Sequence, residues 1–180
     1  MRPDLIAEEV SAVTPRPLAR VVMAQRWREV AFVHWTVEPA RVAHLFPRGT
    51  APDIIDEKTW VGLVPLRMVG AGFGRRYPVP YIGSFLETNV RLYSVDSRGR
   101  RGVVFLSLDA SRLAFVLGAR ATYGLPYQWS RMHLHRRSRV LTYVTWRRWP
   151  AMRGSTSRVV VRVGEALARP SATEAFLTAR

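Results

Sequence analysis

The sequence predicts an α+β protein: a mainly antiparallel β-sheet, curled or closed on itself into a barrel or cone, with two to four short helices. Three observations lead there. Runs of β-branched and aromatic residues recur along the chain, separated by short clusters of Gly, Pro, Asp and Ser, the pattern of hairpin-linked strands. Helical spacing of apolar residues is confined to short stretches. The 180 residues, 48% of them apolar, suffice for one core, and no internal repeat or linker divides the chain. The expected organisation is an extended N-terminal arm over 1–20 followed by one domain over 21–180.

The arm is mixed in character and punctuated by Pro, which suits an extended lead-in. "EVAFVHWTV" (29–37) reads as a strand, and "EPARVAHLF" as a short helix opened by Pro39 and ended by Pro47. A turn is expected at Asp56 and Glu57. "TWVGLVPLRMV" (59–69) is a long strand whose Pro65 predicts an edge or a bulge. The glycine-rich 70–83, "GAGFGRRYPVPYIG", lacks the strand-to-helix context of a dinucleotide fingerprint. It is expected to be a surface loop, or a lid over a site. "SFLETNVRLYSV" (84–95) and "VVFLSLDA" (103–110) pair as a hairpin. Asp109 or Ser111 is expected to cap the next helix, whose Leu113, Val116, Leu117 and Ala121 share a face and which Gly124 stops. After the turn "YGLPYQW", the stretches "WSRMHLHRR" and "VLTYVTWRRW" form another hairpin, followed by the strand "SRVVVRVGE". In the final helix, Ser171 and Glu174 have capping-box spacing.

The net charge of +15 rests on 28 basic residues, of which Lys58 is the only lysine. Such a field suits nucleic acid. However, an almost complete use of Arg in place of Lys resembles a GC-rich codon bias, and the arginines are dispersed along the sequence. The densest stretches, 131–139 and 147–153, are read as a solvated basic face rather than a nucleic-acid groove. The chain has no cysteine, which excludes disulfides, thiol nucleophiles and Cys-ligated zinc. With no long uncharged apolar run and no secretory leader pattern, a cytoplasmic protein that does not engage membrane is expected. His133 and His135 alternate on one strand face, but neighbouring Arg131, Arg136 and Arg137 would repel a cation and no carboxylate stands nearby. No metal and no cofactor is expected. A nucleophile elbow is absent, and the six tryptophans are scattered in a way that suits core filling better than a base-stacking platform.

Strand alternation over 85–93 places Phe85, Glu87, Asn89, Arg91 and Tyr93 on one face and Leu86, Thr88, Val90 and Leu92 on the other. The second face is expected to be core. The first is either the wet side of a half-buried sheet, which antiparallel sheets commonly expose, or the polar lining of a closed barrel.

The segments "QRWREVAFVHWTVEPARVAHLFPRGTAPDIIDEKTWVGLVPLRM", "FLETNVRLY", "RGVVFLSLDASRLAFVLGAR" and "YGLPYQWSRM", in that order, resemble the YqjF-like family of uncharacterised bacterial proteins, which is grouped with the acetoacetate decarboxylase-like superfamily. The resemblance runs over roughly 25–180. It implies a curled, mostly antiparallel barrel or cone around a small-molecule cavity. It also implies a C-terminally short chain, because members continue beyond "FLTAR". In acetoacetate decarboxylases the matching turn is followed by paired lysines, one of which forms a Schiff base with a keto acid. Here Tyr127 and Gln128 stand at those positions and neither can form an imine. Lys58, in the turn Asp56-Glu57-Lys58, is expected to be an exposed ammonium. By the same resemblance Glu87 matches the acidic residue that decarboxylases direct into their pocket.

The expectation is therefore a small-molecule-binding protein that takes an organic acid or carbonyl compound without a Schiff-base lysine. Its pocket would be bounded by Glu87, Asn89, Arg91, Arg120, Tyr127, Gln128 and Trp129. If the protein is an enzyme, the chemistry would be proton transfer, with Glu87 as general acid or base, Tyr127 donating to an oxyanion, and Arg91 or Arg120 holding a carboxylate. The alternative is a non-enzymatic module whose basic hairpin, 131–153, docks an acidic partner or nucleic acid. A third reading is a scaffold without a ligand that serves as one subunit of a homo-oligomer.

Overall fold

The computed structural model describes residues 7–11, 13, 16–74 and 77–179; the expected N-terminal arm therefore lies partly outside the described residues. The elements in chain order are β1 (Met23–Arg28), β2 (Val33–Val37), α1 (Pro39–Val42) continuing as a 3-10 turn (Ala43–Leu45), β3 (Thr50–Pro52), β4 (Thr59–Phe73), β5 (Tyr77–Pro78), β6 (Phe85–Asp96) and β7 (Arg101–Ala110). Then come α2 (Leu113–Tyr123), β8 (Tyr127–Arg137), β9 (Val140–Trp149), β10 (Thr156–Arg162) and α3 (Ala172–Thr178). All ten strands form one sheet in the order β1-β4-β6-β7-β8-β9-β10, with β2 and β5 also on β4 and β3 on β6. No ladder joins β1 to β10 among the described residues, so the sheet is open and does not close into a barrel. Every pairing is antiparallel except β7 with β8, where Leu108, Asp109 and Ala110 run parallel to Tyr127, Gln128 and Trp129. Parallel neighbours need a crossover, and α2 supplies it.

The core lies on one face. Val64, Leu66 and Met68 of β4, Phe85 of β6, and Leu108 and Ala110 of β7 pack against Val116 and Ala119 of α2 and Tyr127 of β8. Phe115 of α2 sits between the Phe85 ring, 4.2 Å away, and the Tyr127 ring, 5.3 Å away. This is the face that carries Glu87, Asn89 and Arg91, all buried, so the wet-side reading of that face is overturned. The opposite face of β6, expected to be plain core, instead meets a buried polar cluster. Thr88 Oγ1 lies 3.2 Å from Thr145 Oγ1, while Asp109 accepts from Ser130 and, through both its oxygens, from Arg147.

Several elements differ from expectation for identifiable reasons. Of the strand expected over 29–37 only Val33–Val37 forms, because the chain turns at Glu29, whose φ is +50°, and a separate strand precedes that turn. β1 is nearly all exposed and its apolar residues do not alternate with its polar ones, so its ladder to β4 is what makes it a strand. Pro65 is neither at a sheet edge nor at a bulge. Its carbonyl accepts from Ala31 N at 3.0 Å, in the gap between the β2 ladder, which reaches Leu63, and the β1 ladder, which starts at Arg67. The missing N–H therefore falls where no strand needs it. Neither Asp109 nor Ser111 caps α2: Asp109 is held by Arg147, Ser111 Oγ accepts from Leu86 N, and the N-cap is Arg112. Gly124 does end α2, in the left-handed conformation, and the Ser171–Glu174 capping box is formed in full.

The stretch 70–83 is less of a loop than its glycines suggest. β4 continues through Phe73, β5 folds back on it, and Gly83 closes the return, its carbonyl accepting from Ala71 N and its N–H donating to the Val79 carbonyl. A Cβ on Gly83 would stand 2.2 Å from the Ala71 carbonyl oxygen, whereas one on Gly118, on the exposed side of α2, would meet nothing within 4 Å. Gly83→Ala is therefore expected to destabilise by about 1–3 kcal/mol and Gly118→Ala to stabilise by about 0.5–1 kcal/mol. Urea denaturation of the two variants checks both signs; an unchanged midpoint for Gly83→Ala would show that the segment yields freely.

Candidate functional site

β6 runs through the middle of the sheet, and its neighbours set what surrounds each side chain. Glu87 lies between Leu66 of β4 and Ala110 of β7, Asn89 between Val64 and Leu108, and Arg91, after a bulge, between Gly62 and Phe105. The polar groups in this apolar setting satisfy one another in a line. The Tyr127 hydroxyl donates to Glu87 Oε2 at 3.0 Å, Asn89 Nδ2 donates to Glu87 Oε1 at 3.2 Å, and Arg91 Nε donates to Asn89 Oδ1 at 2.9 Å. Tyr127 reaches Glu87 because the parallel β7–β8 register sets it beside Leu108.

Burial dominates the electrostatics. Glu87, 2% exposed, has its carboxyl pushed above the ordinary range by loss of water, with Asn89, Tyr127 and Arg91 pulling it back. Burial and then the Glu87 charge push the Tyr127 phenol up, so it stays a hydrogen-bond donor. Burial also lowers Arg91. Its guanidinium is caged by the rings of Trp27, Phe32 and Phe105, with Cζ 5.7, 5.8 and 5.6 Å from their centroids, a geometry that favours a cation. Arg91 Nη2 is buried and has no hydrogen-bond partner among the described residues.

His34 of β2 completes the surroundings of Arg91. It stacks on Phe32, and Gly62 separates it from Arg91: a Cβ there would lie 3.1 Å from Arg91 Cγ and 3.2 Å from the imidazole. His34 Nε2 lies 2.7 Å from the Tyr93 hydroxyl, which itself donates to the Leu177 carbonyl at 2.8 Å. With that proton committed, the imidazole donates from Nε2, in the neutral form. Burial first, and the Arg91 charge second, lower its pKa from 6.5 to about 4.

Of the residues singled out in sequence, Glu87, Asn89, Arg91 and Tyr127 come together. Trp129 packs at the margin of the same core, beneath the Arg148 guanidinium. Arg120 and Gln128 do not join them. Arg120 is exposed, donates to the Tyr127 carbonyl at 2.8 Å and lies over Trp149, so it braces the turn. Gln128 points to the other side of the strand, donating to the Pro126 carbonyl and accepting from Ala151 N. Lys58 is ion-paired with Glu38 at the surface. His133 and His135 are exposed with stacked rings, and no cluster of three His, Cys, Asp or Glu residues gathers among the described residues. Trp27, Phe32, His34 and Phe105 escaped the sequence reading because three strands remote in sequence bring them to Arg91. A cavity of about 730 Å³ lies between β1 and the glycine-rich turn, lined by residues such as Gln25, Val69 and Tyr77; the Glu87–Arg91 line is not on its wall. Trp27 and Phe32, 40% and 36% exposed, are instead what stands between Arg91 and solvent. No described helix is long and apolar enough to cross a membrane.

A family profile, DUF2071, described as an uncharacterized conserved protein, matches residues 24–180. The uncharacterized protein YqjF of Bacillus subtilis (strain 168) is 31% identical over 127 residues, 71% of this chain and 52% of that protein. The chain thus spans about half the length of this curated relative. Among solved structures, the enduracididine biosynthesis enzyme MppR superposes with a TM-score of 0.59 at 15% identity, over 91% of this chain and 62% of that one. Acetoacetate decarboxylase from Legionella pneumophila subsp. pneumophila str. Philadelphia 1 gives 0.55 at 16% identity, over 74% and 49%. An acetoacetate decarboxylase-like enzyme from Sphingomonas wittichii RW1 gives 0.53 at 14%, over 76% and 57%. At such identities these structures show the fold, which is of the acetoacetate decarboxylase-like type.

Two predictions follow from the electrostatics. Tyr127→Phe leaves Glu87 Oε2 buried without its donor and is expected to cost about 1–3 kcal/mol in chemical denaturation. It also raises the Glu87 pKa further. Because the folded Glu87 carboxyl titrates above 4.5, folding takes up a proton between that value and the raised one, so stability falls as pH rises through this window. Glu87→Gln is expected to flatten that part of the profile. His34, lowered from 6.5 to about 4, acts oppositely: its contribution is full above 6.5 and is lost as pH falls towards 4. His34→Gln is expected to remove that acid limb, measured as stability against pH for each variant.

Proposed function

We propose, from the premise that this chain belongs to the DUF2071 family of uncharacterized conserved proteins, that it binds a small carboxylate or carbonyl compound at the Glu87–Arg91 line and moves a proton on it. The observation that carries this reading is a buried guanidinium nitrogen without a partner among the described residues, at the far end of a buried hydrogen-bond line that begins at a carboxyl of raised pKa. Arg91 Nη2 offers charge-assisted hydrogen bonding to a carboxylate. A Glu87 carboxyl raised towards working pH is better matched to give and take a proton than an exposed one. MppR, of similar fold, has been seen with pyruvate bound, which supports a small keto acid as the kind of molecule such a sheet accommodates.

The reading excludes an imine. The positions that would carry an amine are Tyr127 and Gln128, and the single lysine is ion-paired elsewhere. The ligand stays non-covalent: its carboxylate pairs with Arg91, Trp27 and Phe32 swing aside to admit it, and Glu87 exchanges a proton with the carbon next to the carbonyl. The Tyr127 hydroxyl, held protonated, turns its single hydrogen bond from Glu87 to the ligand oxygen that gains charge.

The test pairs thermal melting with isotope exchange. Pyruvate and a panel of keto and hydroxy acids are expected to raise the melting temperature of the wild-type protein, by the equivalent of about 2.7 kcal/mol at a concentration 100 times Kd. Arg91→Gln is expected to abolish the shift and Arg91→Lys to retain part of it. Glu87→Gln is expected to keep the shift while losing deuterium exchange into the ligand from heavy water, followed by NMR. No shift with any acid would sink the proposal.

A further inference from the structure

We infer that the outward face of β8, β9 and β10 binds single-stranded nucleic acid, a surface separate from the Glu87–Arg91 line and independent of its chemistry. The linear sequence disperses the arginines; the register of these three strands gathers them. Arg131 of β8 lies opposite Trp146 of β9, which lies opposite Thr156 of β10; the next outward row joins His133, Val144 and Arg158. The last row joins Arg137, Val140 and Arg162. Exposure alternates along β10 and along β8 as far as His135, leaving Arg131 and Arg137 on β8 and Arg158 and Arg162 on β10 exposed on one side of the sheet. Two lines of cations therefore flank the middle strand, the pairs spaced about 20 Å and about 13 Å along their strands at 3.3 Å per residue.

Three features favour this occupant. No Asp or Glu occurs in the sequence between Asp109 and Glu165, so these strands hold no acid to neutralise the four arginines, and none of the four forms an ion pair among the described residues. Arginines on the opposite strand face behave differently: part-buried Arg147 is bound by Asp109, and exposed Arg136 pairs with Glu29. The outward face also carries rings set to stack. Trp146, 52% exposed, lies between the arginine lines, and the His133 and His135 rings are stacked with 6.2 Å between centroids and 24° between planes. Cations at the margins with exposed aromatic surface between them is what an unpaired strand requires, phosphates to the arginines and bases on the rings. A second copy of this chain would bring the same charge to the same face and be repelled, and a duplex hides the base faces that Trp146 would engage.

The test uses the whole chain with fluorescein-labelled twelve-nucleotide RNA and DNA of mixed pyrimidine sequence, in fluorescence polarisation at several salt concentrations. The expected result is binding of the single strands with a log–log salt slope of about −3 for four phosphate contacts, quenching of Trp146 emission, and weaker binding of a duplex of the same length. Trp146→Ala is expected to weaken binding at least about fivefold. Arg158→Glu with Arg162→Glu is expected to abolish it, and Glu87→Gln to leave it unchanged. All substituted surface residues are exposed, and circular dichroism confirms folding of each variant. Absence of binding at low salt would overturn the inference. So would equal affinity for polyglutamate or for vesicles of phosphatidylserine, or affinity that Trp146→Ala leaves intact, since each would make the face a sink for any polyanion.

Discussion

A carboxyl, an amide and a guanidinium buried along one face of the central strand constrain everything around them. In an apolar core each would cost several kcal/mol if left unpaired, so Glu87, Asn89 and Arg91 persist only as a connected line closed at one end by Tyr127. That line needs β8 parallel to β7, which in turn needs α2 as the crossover, and α2 then lays Val116 and Ala119 over the same face. The other end is held by rings rather than by an anion: Trp27, Phe32 and Phe105 surround the Arg91 guanidinium. The shape of the core and the chemistry of the candidate site are two consequences of one hydrogen-bonded row.

Arginine illustrates how the same residue type takes different roles by the parity of its position. Arg147 turns inward and is bound through two oxygens by Asp109, on the back of β7, where Ser130 and Thr145 complete a second buried polar cluster. Arg91 turns into the front of the sheet and keeps one nitrogen without a partner among the described residues. Arg131 and Arg158 turn to solvent and pair with no acid among the described residues. Composition counts these residues alike; only the strand face to which each belongs separates a structural ion pair from a cation that can hold a ligand.

The turn at 124–129 carries no lysine. Tyr127 instead supplies a donor to Glu87, Arg120 braces the turn through the Tyr127 carbonyl, and Gln128 serves the back of the strand. What the fold gathers beside this turn is a hydrogen-bonded row with a buried carboxyl at one end and a caged cation at the other.

What the sequence by itself determined is the part governed by neighbours along the chain. The β6–β7 hairpin, the Gly124 stop, the complete capping box of the last helix and the absence of a second amine were legible because turn propensity, helix capping and residue inventory are local properties. Family resemblance was legible as well, since ordered motifs survive at 31% identity. Only the tertiary structure decided which face of β6 is dry, that β1 is a strand, that Pro65 sits harmlessly between two ladders, and that the glycine-rich stretch is a tight β return. It also placed His34, Trp27 and Phe32 around Arg91 and aligned the outward arginines across three strands. Burial and register are set by segments far apart in sequence; alternation can sort side chains into two faces, but what packs on each face is settled only when the sheet, the crossover helix and the first two strands are in place.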